Sequence, residues 1–96
     1  MFKLIIKDIA REILEELSNN NQKTFKIISN ALDEIKDKGL KSSNIKKLVG
    51  FQKIFRKRIR RWRILFTIEG KEINIWLIAI KKDNRKDYKK WIRFIN

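Results

Sequence analysis

The stretch that decides the fold is residues 53–80, which read KIFRKRIRRWRILFTIEGKEINIWLIAI. In its first part Arg56, Arg58 and Arg60 alternate with apolar neighbours, and a period of two is typical of a strand with two different faces. We therefore expect a strand over 53–60 that carries these three arginines on one side.

The rest of the stretch predicts two further strands. Trp62, Ile64, Phe66 and Ile68 again alternate with their neighbours, which indicates a second strand that turns back near residues 60–61. Residues 69–71, Glu-Gly-Lys, form a turn signal. Residues 73–80 are apolar on both faces, as expected for a strand in the middle of a sheet.

Two amphipathic helices are expected before this stretch. Apolar residues recur at intervals of three and four up to the polar residues 18–21, and the same spacing follows in a second segment. The first set is Ile6, Ile9, Ala10, Ile13, Leu14 and Leu17, and the second is Phe25, Ile28, Ala31, Leu32 and Ile35. Thr24 is the expected N-cap of the second helix, and Gly39 is its expected C-cap. Residues 1–6 fit either a short strand or a lead-in to the first helix.

The order of these elements predicts a single α+β domain over 1–96. A helical hairpin is expected to pack on one face of a small antiparallel sheet and to leave the other face open. From Asp87 onward, Tyr88, Trp91, Ile92 and Ile95 fall at helical spacing, so a short C-terminal helix is expected.

Charge is concentrated in the second half of this 96-residue chain. The net charge is +14, and residues 51–96 contribute fifteen basic and four acidic side chains, against ten and seven in residues 1–50. Seven of the eleven residues in 53–63 are basic. Such a cluster attracts polyanions by counterion release, and its interleaved apolar residues argue against a disordered tail. Nucleic acid is therefore the expected ligand, with an acidic partner protein as the alternative.

The composition also excludes several kinds of chemistry. The chain has no Cys and no His, which rules out disulfides, Cys/His zinc sites and His-based catalysis, and three Gly leave no room for a phosphate-binding glycine loop. No convergent carboxylate cluster is evident for a metal, so neither metal nor cofactor is expected. No apolar run is long enough to span a membrane, and we expect a cytoplasmic protein.

Five sequence segments, in this order, resemble the pattern of the RelE/ParE toxin superfamily. They are Lys46-Lys47-Leu48-Val49-Gly50, Phe55-Arg56-Lys57-Arg58-Ile59, Trp62-Arg63-Ile64-Leu65-Phe66, an apolar strand followed by basic residues, and then Tyr88. The match covers about the second half of the chain. The helical hairpin before it agrees with the family in order and length.

The resemblance implies a toxin of a toxin–antitoxin pair that cleaves mRNA on the ribosome through attack of the ribose 2'-OH on the adjacent phosphate. By position it implies a catalytic set of Arg56, Arg58, Arg63, Lys82 and Tyr88, with Arg85 as a second match for the cation that follows the last strand. The remaining basic side chains are expected to bind RNA: Lys53, Lys57, Arg60, Arg61, Lys81, Arg85 and Lys86. Tyr88, whose neighbours are charged, is the expected base-stacking residue.

One departure from the family pattern keeps alternatives open. The family's frequent His-Arg pair is absent, and guanidinium does not deprotonate in proteins, so a lysine such as Lys82 or Lys53 would have to act as the general base, or the ribosome would have to supply the positioning. The alternatives are a ParE-like inhibitor of DNA gyrase and a non-catalytic RNA-binding homologue. In every case the chain's charge favours an acidic, RelB-like antitoxin with an amphipathic helix as partner.

Overall fold

The computed structural model of the chain describes residues 1–48 and 53–80. Its elements are, in order, β1 (Lys3–Ile6), α1 (Asp8–Asn20), α2 (Gln22–Lys38), a 3-10 turn (Gly39–Lys41), β2 (Ile45–Lys47), β3 (Phe55–Ile59), β4 (Trp62–Glu69) and β5 (Glu72–Ile80). The C-terminal helix expected from Asp87 lies outside the described residues. No helix in the described part is long and apolar enough to cross a membrane.

The sheet is five-stranded and mixed, with the order β1-β5-β4-β3-β2. Strands β3, β4 and β5 pair antiparallel as expected, and the unpredicted strand β2 pairs antiparallel with β3. In contrast, β1 runs parallel to β5, with Lys3 opposite Glu72 and Ile6 opposite Ile75. This corrects the expectation of an antiparallel sheet. The partner of β1 is nearly 70 residues away, so no local periodicity could reveal that it pairs there.

The helical hairpin packs on one face of this sheet, as the sequence predicts. Its buried apolar residues meet those of β4 and β5 in one cluster: Ala10, Leu17, Ile28, Ala31, Leu32, Ile35, Ile64, Phe66, Ile73, Ile75 and Ile78. Phe66 is fully buried, and burial of such a side chain contributes about 1.5–3 kcal/mol. The cluster therefore fixes which side of every strand faces the helices.

A bulge in β5 explains how that strand is apolar on both faces. Leu65 lies opposite Leu77 and Phe66 opposite Ile75, so Trp76 is an extra residue with no partner in β4. The extra residue reverses the alternation. Trp76 and Leu77 therefore both point away from the helices, while Ile75 and Ile78 face them.

The helix ends differ in part from the expectation. Only Asn21 separates α1 from α2, and its side chain accepts a hydrogen bond from the Thr24 backbone N–H at 3.2 Å. Asn21 is therefore the N-cap, and Thr24 lies inside the first turn. Gly39 ends α2 as predicted, with φ 56°, a left-handed conformation that glycine adopts without strain.

Two tight turns connect the hairpins. Arg60 and Arg61 form the turn between β3 and β4, and Arg60 has φ 55°. This corrects the expectation that Arg60 continues the strand: β3 ends at Ile59, because Ile59 already pairs with Trp62. Gly70, with φ 61°, makes the expected turn between β4 and β5.

Candidate nucleic-acid interface

Strand alternation places a row of arginines on the sheet face that points away from the helices. Phe55 and Ile59 pack against the helix-side core, so Arg56 and Arg58 between them point the other way. Arg63 of β4 lies directly opposite Arg58 in the register and shares its face. We call Arg56, Arg58 and Arg63 the arginine row.

The register brings Arg58 and Arg63 side by side. Directly opposed side chains in an antiparallel pair have Cβ atoms about 5 Å apart, and like charges at that position repel each other. Arg63 is 7% exposed, and its Nη1 donates hydrogen bonds to the carbonyl oxygens of Arg60 at 3.1 Å and Trp62 at 3.0 Å. These contacts hold its guanidinium near the turn, beside the exposed Arg58. An anion that contacts both side chains would receive charge-assisted hydrogen bonds from two neighbouring guanidinium groups.

Arg56 adds a second feature that favours an anionic ligand. Its side chain is half-buried, and its Nε is buried without a hydrogen-bond partner in the described part of the chain. An unsatisfied buried donor costs about 1–3 kcal/mol. Across the sheet, Arg56 lies opposite the exposed Lys46 of β2. Lys46 was not among the predicted site residues, because β2 is only three residues long and shows no clear period.

An apolar cluster adjoins the arginine row. Ile54, Leu65 and Leu77 are buried together, with Leu48 and Ala79 packed against them. Leu65 lies opposite Arg56 in the register. Apolar surroundings lower the local dielectric, so a charge–charge contact at the row is stronger than one in open water.

Lys57 does not belong to this interface. Its side chain is on the helix side of β3 and 3% exposed, and its Nζ donates to Glu34 Oε2 at 2.5 Å, Ser42 Oγ at 2.7 Å and the Ser43 carbonyl at 2.7 Å. This corrects the expectation that Lys57 binds RNA: it is enclosed, and its charge is already balanced by a carboxylate.

Glu34 is the other half of this buried pair and was not identified from the sequence. Its Oε1 also accepts hydrogen bonds from the Ser43 backbone N–H at 3.1 Å and from Ser43 Oγ at 3.0 Å. The hydrogen bond from Lys57, together with those from Ser43, lowers the pKa of the Glu34 carboxyl from 4.5 to about 2. The network joins α2, the loop before β2, and β3, and so holds the strand that carries Arg56 and Arg58.

The other predicted site residues divide into two groups. Lys53, Arg60 and Arg61 are exposed, the first just before β3 and the other two in the turn after it. Five predicted residues lie outside the described part of the chain: Lys81, Lys82, Arg85, Lys86 and Tyr88. Among the described residues, no three His, Cys, Asp or Glu side chains come close enough together to hold a metal ion.

An aromatic residue lies on the same face, toward the opposite edge of the sheet. The indole Nε1 of Trp76 donates to Thr67 Oγ1 at 2.9 Å, and Thr67 shares its face with Arg63 and Leu65 because all three alternate with core residues of β4. The Lys7 ammonium lies 4.9 Å from the centre of the Trp76 ring. Alternation from Ile73 and Ile75 places Trp76 on this face, and the bulge after it brings Leu77 to the same face.

By sequence, the chain matches no protein-family model and no curated protein. Three solved structures from Staphylococcus aureus match it by fold: a YoeB dimer, a YoeB–YefM complex, and a heterotetrameric YoeB–YefM toxin–antitoxin complex. The chain has the fold of YoeB.

The TM-scores indicate a similar fold, whereas the sequence identities are low. For the YoeB dimer the TM-score is 0.66 at 20% identity, with 86% of this chain and 98% of that chain covered. For the YoeB–YefM complex the TM-score is 0.71 at 21% identity, with 85% of this chain and 99% of that chain covered. For the heterotetramer the TM-score is 0.67 at 20% identity, with 88% of this chain and 99% of that chain covered. The RelE-like resemblance expected from the second half of the sequence is thus confirmed in the fold, and it extends over most of the chain.

Proposed function

We propose that this protein is the toxin of a toxin–antitoxin pair and that it cleaves mRNA on the ribosome. The observation that carries the proposal is the arginine row: three guanidinium groups on one face of a RelE-like sheet, two of them directly opposed. Guanidinium groups fixed side by side on one face suit a phosphodiester backbone, whose phosphate oxygens accept bidentate, charge-assisted hydrogen bonds.

The proposed reaction is a transesterification within the RNA. The ribose 2'-oxygen loses its proton and attacks the adjacent phosphorus, the bond to the 5'-oxygen breaks, and the products are a 2',3'-cyclic phosphate and a free 5'-hydroxyl. Negative charge on the phosphoryl oxygens increases in the transition state. Arg56, Arg58 and Arg63 would stabilise that charge through bidentate, permanently charged hydrogen bonds.

The proton transfers need other groups. Guanidinium groups do not accept a proton in proteins, so a base other than the arginine row must take the 2'-hydroxyl proton, and an acid must protonate the leaving 5'-oxygen. We propose Lys82 or Lys53 as the base, with the ribosome positioning the RNA so that the attacking oxygen, phosphorus and leaving oxygen are in line. Tyr88 is proposed to stack on a base of the bound mRNA.

The proposed physiological inhibitor is an acidic antitoxin. A net charge of +14 calls for a partner of opposite charge, and two of the solved structures with this fold are complexes of YoeB with YefM. A RelB-like or YefM-like antitoxin would neutralise the basic chain and prevent its access to the ribosome.

The proposal is tested with purified protein and programmed ribosomes. Primer extension should show cleavage of the mRNA in the ribosomal A site, and Arg58→Gln should slow cleavage at least tenfold. Lys23→Gln, which removes one exposed charge from α2, is the matched control and should leave the rate within twofold.

Three other results would reject the proposal. Intact A-site mRNA together with unaffected translation in expressing cells would exclude the nuclease. A DNA-damage response with normal translation would favour the gyrase inhibitor instead. Salt-sensitive RNA binding with no cleavage product at any pH would favour a non-catalytic homologue.

A further inference from the structure

An apolar groove opens at the end of the molecule where α2 finishes. It has a volume of about 700 Å³. Its lining residues come from the segment before β1, the end of α2, the 3-10 turn and β4, and they are Phe2, Asp37, Lys38, Leu40, Lys41 and Ile68. We call it the Leu40 groove. Leu40 is 49% exposed there, which is unusual for a large aliphatic side chain.

The backbone around Gly39 builds this groove. Gly39 ends α2 in a left-handed conformation, and the Phe2 ring lies so close above it that a Cβ atom at residue 39 would be 2.5 Å from the ring. The Phe2 backbone N–H donates to the Lys36 carbonyl at 2.9 Å. The aromatic wall is therefore fixed in place, and the chain that continues past Gly39 leaves Leu40 on the surface beside it.

The charges around the groove select the chemistry of its occupant. Lys38 and Lys41 line it and outnumber the single carboxylate, Asp37. The whole chain carries +14, so a second copy would be repelled, whereas an acidic partner would be attracted. An apolar groove with a basic rim fits the apolar face of an amphipathic helix whose polar face is rich in Asp and Glu.

The groove is also separate from the arginine row. Ile68 lies on the helix side of β4, five residues along the strand from Arg63. At about 3.4 Å per residue the two are roughly 17 Å apart, and they point to opposite faces. A helix bound in the groove would leave the arginine row uncovered.

We propose that the Leu40 groove is the docking site for an acidic amphipathic helix of the antitoxin. The inference rests on the proposed function for the identity of the partner. In this arrangement the helix anchors the antitoxin to the toxin, and a different part of the antitoxin has to cover the arginine row.

The test uses a fluorescein-labelled synthetic peptide of about 18 residues, long enough to form a helix, with leucine at every third and fourth position and glutamate between. Fluorescence anisotropy measures its affinity for the full-length protein. Leu40→Ser should weaken binding at least tenfold. The charge reversal Lys38→Glu with Lys41→Glu should do the same, while Lys23→Glu with Lys26→Glu, an equal charge change near the start of α2, should weaken it no more than twofold.

The outcomes separate this inference from the proposed function. Equal losses in the two double variants would overturn the inference, because binding would then follow net charge alone. Self-association of the wild type that Leu40→Ser abolishes, measured by light scattering, would assign the groove to a second copy and overturn it as well. Leu40→Ser should retain wild-type mRNA cleavage. Peptide binding that depends on Leu40, in a protein that cleaves no mRNA, would support the groove and reject only the nuclease.

Discussion

The replacement Glu34→Gln tests the buried pair that holds β3 in place. Lys57 has a side chain that is only 3% exposed, and its ammonium is paired with the Glu34 carboxylate at 2.5 Å. Glutamine keeps the shape of the side chain and removes the charge. Lys57 would then be a buried cation whose hydrogen-bond partners, the serines and the glutamine amide oxygen, are all uncharged.

The expected loss of unfolding free energy in Glu34→Gln follows from the burial of the ion pair and from the lowered pKa of Glu34. Removal of one partner from a buried pair costs about 3–5 kcal/mol. A carboxyl pKa lowered from 4.5 to about 2 would by itself correspond to roughly 3 kcal/mol, but 28% of the Glu34 side chain is exposed and water screens the interaction. We therefore expect Glu34→Gln to lower the free energy of unfolding by about 2–3 kcal/mol at pH 7.

The pH dependence has a defined sign. The pKa of Glu34 is lower in the folded than in the unfolded state, so its contribution to stability is complete above pH 4.5 and is lost as the pH falls toward about 2. The difference in stability between the wild type and Glu34→Gln should therefore shrink over that interval.

Urea unfolding followed by far-UV circular dichroism, from pH 7 to pH 3, measures the loss in free energy of unfolding and its dependence on pH. Lys57→Met is the matched variant, because it leaves Glu34 hydrogen-bonded to Ser43 and partly solvated; it should cost only about 1 kcal/mol. The double variant should be more stable than Glu34→Gln alone. A loss below about 0.5 kcal/mol for Glu34→Gln, or a gap between wild type and variant that does not change with pH, would refute the reasoning.

Three further predictions follow from particular residues. Gly39→Ala should lower the free energy of unfolding by more than about 2 kcal/mol in urea unfolding, because φ is positive and the Phe2 ring occupies the Cβ position. Gly70 also has a positive φ, but no atom lies within 4 Å of its Cβ position, so Gly70→Ala should cost only about 1–2 kcal/mol. Asn21→Ala removes the N-cap of α2 and should cost about 1 kcal/mol in the same assay, and no change would mean that its hydrogen bond is not formed. Arg58→Gln should reduce the slope of log affinity against log salt for single-stranded RNA by about 0.7, while Lys57→Met should leave that slope unchanged; equal slopes for both variants would show that Arg58 makes no phosphate contact.

The periodicity of single elements was predictable, and so was the face that most side chains occupy. The strands through Phe55, Trp62 and Ile75 and both helices follow from local alternation of apolar and polar residues. The opposition of Arg58 and Arg63 follows once the turn is placed near residue 60. The α+β class and the shared face of Arg56 and Arg58 could therefore be predicted from the sequence, whereas Arg60 was expected in the same row and lies in the turn.

Features that depend on distant contacts could not be predicted. In a basic run Lys57 looks the same as its exposed neighbours, and only the packing of α2 against β3 shows that Glu34 balances it. Leu77 reaches the arginine face through a bulge that depends on the register with β4. Lys46 becomes part of the interface only because β2 pairs with β3.

The parallel pairing of β1 with β5 also determines when the protein can fold during its synthesis. Lys3 and Glu72 are partners, so the first strand has no place in the sheet until the last strand of the described part has been made. At 5–20 residues per second the ribosome needs roughly 3–14 s to add the intervening residues. Until then the core lacks Ile73, Ile75 and Ile78.

The arginines of β3 and β4 are synthesised before that point. They therefore exist for roughly 1–4 s in a chain whose helix-side core is incomplete, and long-range strand pairing of this kind is intrinsically slow. Completion of the sheet by β5 is thus the step that converts a basic nascent chain into a folded protein with an ordered arginine face.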